Sequence, residues 1–405
     1  MAEYKYDIVI FGASSFVGEI LCNYLAGCKE EPALRWAIAG RSASKLEAVK
    51  AKIGKADLDI IIADASDETA LRNLCGQTRV VTTTVGPYAL YGETLLKVCA
   101  ETGTDYCDLT GEVQWIRQMV DRYNDTAKAS GARIVNCCGF DSIPSDLGVL
   151  YTQQQSQELF GESCNKIQMR VKAAKGGLSG GTFASLINVM KEAAGNPALR
   201  KEMADPYSLC PGESNKARQI NPGLAQFDTT SNSWTIPFIM AAINTRVVQR
   251  SNFLLKQAYA KPFLYDEAMQ VGTGISGRLR ATAIGGGFAG FMVTASLKPG
   301  RWLLERLLPA PGEGPSPEEQ QSGYFDLDFY GTTPKGKALK CKVTGDRDPG
   351  YGSTAKMLGQ ASICLARDIN KSEVSGGLLT PASCFGDTLI DRLKTYSGLS
   401  FSVIE

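Results

Sequence analysis

The first 150 residues alternate short apolar runs with segments of helical periodicity, and this alternation limits the fold more than any other feature. The predicted strands are 7–11, 34–39, 58–63, 80–85, 105–109 and 133–137, and the predicted helices are 16–25, 44–53, 68–75, 93–101 and 113–129. Strands that alternate with helices require crossover connections, which build a parallel sheet covered by helices on both faces. The sequence therefore predicts an α/β domain with a doubly wound parallel sheet.

The pattern changes after residue 150. Strands predicted at 166–174, 324–330 and 338–344 alternate apolar and polar residues at period two, which is typical of antiparallel strands with one solvated face. Helices are predicted at 183–194, 238–255, 351–367 and 388–396. The change predicts a second domain of different architecture.

The charge balance and the absence of histidine exclude several classes of function. The 405 residues include 43 Lys and Arg and 42 Asp and Glu, a net charge of +1, so we expect no nucleic-acid partner. Without histidine, a Ser-His-Asp triad, a Cys-His dyad and His-ligated zinc are excluded. The 12 Cys residues form no C-x-x-C pair, so we expect no metal site and interpret the thiols as buried in a reducing compartment, the cytoplasm.

A glycine-bounded turn lies between the first predicted strand and the first predicted helix. Gly12 permits a tight turn, and Gly18 permits close packing of the helix on the strand. The helix N-terminus presents N–H groups and a partial positive charge, which favour a dinucleotide pyrophosphate and a Rossmann-type sheet. The residues predicted to line this phosphate site are Gly12, Ala13, Ser14, Ser15, Phe16, Val17 and Gly18, with Ser15 where a middle glycine is common.

The end of the second strand bears on the choice between NAD and NADP. NAD-binding domains usually place an acidic residue there to bind the ribose 2′-hydroxyl. Here Arg41 is followed by Ser42 and Lys45, which favours the 2′-phosphate of NADP. Asp64 and Ala65 follow the third strand and are interpreted as adenine contacts, with capping of the next helix as the alternative for Asp64.

The end of the fourth strand combines flexible backbone with aromatic side chains. Val85, Gly86 and Pro87 would let the backbone approach the cofactor closely. Tyr88 and Tyr91 would then lie near the nicotinamide half, where a tyrosine can donate a proton. The alternative is that each ring only packs against neighbouring side chains.

The segment Gly139–Asp146, with the sequence GFDSIPSD, follows the sixth strand. Gly139 and Phe140 suit a turn beside the nicotinamide, and Asp141 is a candidate to orient the substrate or the cofactor amide. Ser142, like the next serine, is a candidate cap for the following helix. The alternative is a purely structural turn from strand to helix.

Residues 281–297, with the sequence ATAIGGGFAGFMVTASL, carry no charge. The segment is shorter than the ~20 residues of a spanning helix, and its three consecutive glycines oppose a stable helix. Burial in the core is the first interpretation, and a surface facing an acyl chain or lipid, which implies peripheral membrane contact, is the alternative. A homodimer is the simplest closed assembly that would cover such a patch.

Five motifs together resemble those of the saccharopine dehydrogenase-like oxidoreductases, especially the trans-acting enoyl reductase branch. They are GASSFVG (12–18), AGRS (39–42), TTVGPY (83–88), YCDLTGE (106–112) and GFDSIPSD (139–146). The similarity extends through 176–182 and 350–354 and so covers most of the chain. It implies a Rossmann NADP-binding domain at 1–150, a substrate and dimerisation domain with a mixed sheet at 151–345, and C-terminal helices at 346–405 that return to the first domain.

The resemblance also implies a reaction, the reduction by NADPH of a C=C bond in a carrier-bound acyl substrate of polyketide or lipid biosynthesis. Tyr88 and Ser142 are candidate donors to the enolate that forms when hydride reaches the β-carbon. One alternative is a saccharopine-like imine reductase, which would gather arginines around substrate carboxylates; the available ones are Arg246, Arg250, Arg278 and Arg280. A lipid-associated, nucleotide-binding scaffold without catalysis is the other alternative.

Overall fold

The computed structural model describes residues 4–29, 32–176, 180–213, 216–297, 299–300, 302 and 314–404. The chain divides into two compact units: unit 1 contains residues 1–143 and 350–398, and unit 2 contains residues 144–349 and 399–405. Among the described helices, none combines the length and the apolar character needed to cross a membrane.

Unit 1 contains a parallel sheet of seven strands in the order β13-β6-β5-β4-β1-β2-β3. The strands are β1 (Tyr6–Phe11), β2 (Trp36–Gly40), β3 (Asp59–Ile62), β4 (Thr78–Thr83), β5 (Asp105–Cys107), β6 (Arg133–Val135) and β13 (Gly377–Leu379). Every residue of β1 is buried, as a central parallel strand requires. The chain order reverses between β1 and β4, and ligands of such sheets bind outside the carboxyl ends of the strands at this point.

The helices of unit 1 confirm most of the predicted pattern. They are α1 (Phe16–Gly27), α2 (Ala43–Lys52), α3 (Glu68–Cys75), α4 (Tyr88–Tyr91), α5 (Glu93–Thr102), α6 (Val113–Ser130), α13 (Thr354–Arg367) and α14 (Pro381–Tyr396). Helix α13 packs against α1, α14, β1, β4 and β5, so the C-terminal part of the chain completes this unit. Helix α14 begins earlier than the predicted 388–396 because it continues, with a kink, through Gly386 at φ +54°.

Unit 2 contains a second sheet of seven strands, in the order β14-β12-β11-β7-β10-β9-β8. The strands are β7 (Lys166–Lys175), β8 (Gln226–Asp228), β9 (Ser233–Pro237), β10 (Leu264–Gly272), β11 (Tyr324–Thr332), β12 (Ala338–Gly345) and β14 (Leu399–Ile404). The pair β7–β10 is parallel and the other pairs are antiparallel, so the sheet is mixed. The helices are α7 (Ile143–Phe160), α8 (Gly180–Gly195), α9 (Pro197–Ala204), α10 (Ala241–Leu254), α11 (Gly274–Ser296) and α12 (Pro317–Ser322).

The end of the chain differs from the expectation that all of 346–405 returns to the first domain. Residues 350–398 belong to unit 1, but β14 pairs antiparallel with β12 in the sheet of unit 2. Buried and exposed residues alternate over only four positions of β14, which is too short a pattern to predict a strand. Pairing with β12 supplies the partners for its backbone hydrogen bonds.

The uncharged segment 281–297 also differs from the first interpretation, burial in the core. Residues 281–296 belong to the single 23-residue helix α11, which continues through Gly285, Gly286 and Gly287 and ends before Leu297. Most of the described residues of the segment are exposed, including Ile284 and Val293. The lack of charge therefore did not indicate burial within this chain.

Candidate functional site

The turn between β1 and α1 lies at the carboxyl edge of the parallel sheet, where the strand order reverses. Gly12 has φ +88°, and a Cβ atom there would lie 2.6 Å from Cγ2 of Val85. A Cβ atom at Gly18 would collide with the Gly12 carbonyl oxygen. Both glycines are therefore required by the turn itself, besides the space they leave for a ligand.

Ser15, in place of a middle glycine, ties the turn to β4. Its hydroxyl accepts from the Gly18 N–H at 3.0 Å and caps α1. The same hydroxyl is hydrogen-bonded to Thr84 Oγ1 at 2.8 Å, and Thr84 Oγ1 donates to the Gly12 carbonyl at 2.9 Å. Sequence reasoning missed Thr84. The cap leaves the earlier N–H groups of the first turn available to an anion, so these residues fit a pyrophosphate.

The cations after β2 are unpaired. Ser42 caps α2 by accepting from the Lys45 N–H at 3.5 Å. Arg41 and Lys45 are exposed, and no carboxylate of the described chain lies within 4.0 Å of either. Unpaired cations at this edge suit a 2′-phosphate.

Asp64 belongs to a local turn. Its Oδ1 accepts from the N–H of Ser66 at 2.9 Å and from the Ser66 hydroxyl at 2.7 Å. These bonds, with a smaller contribution from the charge of Arg41, lower the pKa of Asp64. Asp67, not Asp64, caps α3, so the capping alternative for Asp64 is wrong. Ala65 lies half-buried beside it.

A buried glutamate holds the segment after β4. Glu112 accepts from the N–H groups of Tyr88 and Ala89, each at 2.9 Å, at the beginning of α4. The Tyr88 hydroxyl donates to the Thr83 carbonyl at 3.0 Å, and burial raises its pKa well above the usual range. Tyr88 is thus a buried, hydrogen-bonded side chain of unit 1. Tyr91, by contrast, is exposed.

Asp108 joins the ends of β5 and β6. Its carboxylate accepts from the Tyr106 hydroxyl at 2.9 Å, from Asn136 Nδ2 at 2.7 Å, and from the N–H groups of Thr110 and Cys137 at 3.1 and 3.0 Å. Burial raises its pKa to about 6 in spite of these donors. The motif YCDLTGE pointed to this region, but no sequence signal assigned roles to Asp108 or Glu112.

Asp141 follows β6 and is half-buried. Burial raises its pKa to about 7; a hydrogen bond from its own backbone N–H opposes this shift, and the charge of Asp108 adds to it. A Cβ atom at Gly139 would lie 2.7 Å from Oδ2 of Asp141 and 2.8 Å from Cγ2 of Thr354, so glycine leaves the space this carboxyl occupies. Ser142 is fully buried, and its N–H donates to the Gly139 carbonyl at 3.3 Å.

Unit 1 brings together motifs that are far apart in the sequence. The Phe140 N–H donates to Thr354 Oγ1 at 3.0 Å, and the rings of Phe16 and Tyr351 meet edge to face with centroids 4.9 Å apart. The motifs at 12–18, 139–146 and 350–354 therefore meet through these residues. Residues 177–179 of the motif 176–182 lie outside the described residues.

Three features indicate the class of protein: a glycine turn at the point of strand reversal, exposed cations after β2, and an acid whose pKa burial raises to about 7. This is the arrangement of an oxidoreductase that uses a nicotinamide dinucleotide.

Comparison with known proteins identifies the family within this class. Residues 8–135 match the model of the saccharopine dehydrogenase NADP-binding domain. A protein of Mycobacterium tuberculosis named as a trans-acting enoyl reductase is 39% identical, with 96% of this chain and 95% of that protein covered. The trans-acting enoyl reductase of Mycobacterium bovis is 36% identical over 97% of this chain and 96% of its own length.

The fold is that of a solved relative. Apo saccharopine dehydrogenase (L-Glu forming) from Saccharomyces cerevisiae matches with a TM-score of 0.54 at 13% identity, covering 98% of this chain and 99% of that one. The chain belongs to the trans-acting enoyl reductase family of saccharopine dehydrogenase-like proteins, and it is an NADP(H)-dependent oxidoreductase. The resemblance read from the motifs is confirmed.

Proposed function

We propose that the chain reduces the C=C bond of an enoyl group in a carrier-bound acyl substrate of polyketide or lipid biosynthesis. When bound, NADPH supplies a hydride to the β-carbon of the enoyl thioester. Gly12, Ser15 and the N-terminus of α1 would hold its pyrophosphate, and Arg41 and Lys45 its 2′-phosphate. The relatives named as trans-acting enoyl reductases support the substrate class.

The observation that carries the proposal is the placement of Asp141, a half-buried carboxyl in the turn after β6 beside Gly139 and Thr354. Hydride addition leaves an enolate, which needs one proton at the α-carbon. Because the pKa of Asp141 is raised to about 7, much of this carboxyl holds a proton at neutral pH, and a carboxylic acid is then strong enough to protonate an enolate. We assign Asp141 this step; its carboxylate then regains a proton from solvent.

We assign positioning roles to Tyr88 and Ser142. The Tyr88 hydroxyl donates to Thr83 and also receives the Leu109 N–H at 3.4 Å, so it holds the segments after β4 and β5 together. Ser142 is fully buried within the turn that presents Asp141. Each group would act on the substrate only through the backbone that it holds.

The placement of four arginines favours enoyl over imine reduction. Arg246 Nη2 donates to the Met203 carbonyl at 2.6 Å, and Arg250 Nη1 donates to the Leu209 carbonyl. Arg278 lies over the Trp234 ring at 5.9 Å, and Arg280, on the same helix, is exposed. The guanidinium groups of Arg246, Arg250 and Arg278 serve separate structural contacts, whereas a saccharopine-type substrate needs several such groups around its carboxylates.

The test is product analysis with isotopes. The full chain is incubated in D₂O with NADPH and, in parallel, with enoyl thioesters on a carrier protein, cyclic imines and ketones. We expect NADPH oxidation only with enoyl thioesters, with one solvent deuterium at the α-carbon. A second reaction with deuterated NADPH in H₂O should place the label at the β-carbon. Turnover of imines without turnover of enoyl thioesters would overturn the proposal.

A further inference from the structure

Gly111 is the only exposed residue of the motif at 106–112, whose other residues are buried or half-buried. Hydrogen bonds hold the chain on both sides of it. The Thr110 N–H donates to Asp108 Oδ1 at 3.1 Å, and the Glu112 N–H donates to Thr110 Oγ1 at 3.2 Å. The Glu112 carboxylate in turn accepts from the N–H groups at the beginning of α4. The backbone at Gly111 is therefore held in place while its surface is open.

The fold does not need glycine at position 111. The φ angle of Gly111 lies outside the left-handed region, unlike that of Gly12. Among the described residues, a Cβ atom at Gly111 would have one neighbour within 4 Å, Oδ1 of Asp141 at 3.8 Å, which is an ordinary van der Waals contact. A methyl group therefore fits here without strain, and the space that glycine leaves open borders the Asp141 carboxyl.

The two oxygens of Asp141 have different surroundings. Oδ2 lies toward Gly139 and Thr354, because a Cβ atom at Gly139 would lie 2.7 Å from Oδ2 and 2.8 Å from Thr354 Cγ2. Thr354 is buried, and its Oγ1 accepts from the Phe140 N–H at 3.0 Å, which holds this side of the turn in place. Oδ1 lies toward the exposed Gly111. A ligand can therefore contact the carboxyl on the Gly111 side.

Proton transfer requires the Asp141 carboxyl to come within hydrogen-bond reach of the carbon that it protonates. When the α-carbon of a substrate is at that distance from Oδ1, a substituent on the α-carbon lies one bond further away, at van der Waals distance from the carboxyl. A Cβ atom at Gly111 would lie at such a distance from Oδ1. A side chain at 111 and a substituent on the α-carbon would therefore compete for the same space.

We infer that Gly111 is a specificity-determining residue: the space beside it receives the α-carbon of the enoyl substrate and admits a methyl-sized substituent on that carbon. This inference rests on the proposed function, in which Asp141 donates a proton to the α-carbon. One methyl or methylene group in a close-fitting site changes kcat/KM by about 10–200-fold. Alanine at position 111 should therefore separate substrates that differ by one methyl group at the α-carbon.

The test compares two substrates on the full chain with NADPH, an unbranched enoyl thioester and the same thioester with a methyl group on the α-carbon. The wild type should reduce both. Gly111→Ala should lower kcat/KM for the α-methyl substrate by at least about tenfold and for the unbranched substrate by less than about threefold. Gly111→Val adds a larger side chain at the same point and should lower kcat/KM for both substrates.

Gly27→Ala is the matched control for Gly111→Ala. Gly27 is exposed at the end of α1, its φ angle also lies outside the left-handed region, and a Cβ atom there would have no atom of the described residues within 4 Å. This variant should leave both kcat/KM values unchanged. The thermal unfolding midpoints of the two alanine variants should agree with that of the wild type.

The outcomes separate this inference from the proposed function. Equal losses for the two substrates in Gly111→Ala, no loss for either, or a wild type that reduces only the unbranched thioester would overturn the inference, while the proposed function would stand. A wild type that reduces neither thioester would overturn the proposed function, and the role of Gly111 with it.

Discussion

Two carboxyl groups, one in each unit, have the same raised pKa and different surroundings. Burial raises the pKa of Asp141 in unit 1 and of Glu267 in unit 2 to about 7. Glu267 is almost fully buried and accepts from the Tyr265 hydroxyl at 2.7 Å and from Asn244 Nδ2 at 3.0 Å. Asp141 is half-buried, and its carboxyl has no partner side chain among the described residues.

The difference shows why a raised pKa alone does not identify a catalytic acid. With a pKa raised to about 7, each group is partly protonated at neutral pH, but Glu267 accepts hydrogen bonds from fixed neighbours. Asp141 can reach solvent and a ligand, and burial, with a smaller contribution from the charge of Asp108, raises its pKa. We therefore expect substitutions of Asp141 to change the rate and substitutions of Glu267 to change stability.

The largest effect is expected for Asp141→Asn. Loss of a general acid typically lowers the rate by about 10²–10⁴-fold, so kcat for the enoyl substrate should fall by at least the lower figure while the unfolding midpoint does not fall. Steady-state NADPH oxidation and thermal unfolding measure the two quantities. Asp141→Glu is the conservative control and should recover part of the rate.

The pH profile separates a proton donor from a positioning residue. Because protonated Asp141 is the active form, kcat of the wild type should decline above pH 7 and level off below it, and the residual rate of Asp141→Asn should be independent of pH in this range. A parallel pH dependence in both proteins would assign the proton to another group.

Glu267→Ala should destabilise the protein without changing cofactor affinity. The substitution leaves the Tyr265 hydroxyl buried without its acceptor, whereas Asn244 Nδ2 keeps Ser145 Oγ at 3.0 Å as a second acceptor. An unsatisfied buried hydroxyl costs about 1–3 kcal/mol of unfolding free energy. Urea unfolding followed by fluorescence checks the loss, and NADPH titration supplies the comparison. A fall in NADPH affinity without a loss of stability would contradict the structural role assigned to Glu267.

Arg41→Ala changes unit 1 without touching either acid. Loss of a charge-assisted contact to the 2′-phosphate should weaken NADPH binding by about 1.5–3 kcal/mol, with NADH binding unchanged. Calorimetric titration of both cofactors measures this. Lys45→Ala is the companion variant, and equal affinity of the wild type for NADPH and NADH would refute the assignment of this edge to NADP.

The smallest effect, counted per pH unit, is a slope of stability with pH. The folded pKa of Glu267 lies above its unfolded value, so the stability this group contributes is fully present below the unfolded pKa, about 4.3, and is lost as pH rises through about 7. Within that window the loss is at most about 1.4 kcal/mol per pH unit. Glu267→Gln cannot titrate, so its unfolding free energy should vary less between these pH values; an unchanged slope would contradict the raised pKa.

The sequence predicted those elements that depend on residues close together in the chain. Helix α3 has the predicted bounds because Asp67 caps it and its apolar residues share one face. The β1–α1 turn was predictable because a positive φ at Gly12 requires glycine. Strand β13 was missed because three residues carry little periodicity and become a strand only by pairing with β6.

The sequence by itself determined the order of strands and helices in the first domain, the glycine turn between β1 and α1, and the cations that follow β2, because each depends on neighbours along the chain. Only the tertiary structure decided that Asp108 accepts from Tyr106 and Glu267 from Tyr265, while Asp141 has no such partner among the described side chains. It also decided that Arg170 pairs with Asp228 and Asp266 inside unit 2. The same holds for α11: the lack of charge in 281–297 did not indicate burial, and close packing at Gly277 and Gly285 determines which side faces the rest of unit 2. Burial and pairing depend on residues distant in the sequence, and no local pattern encodes them.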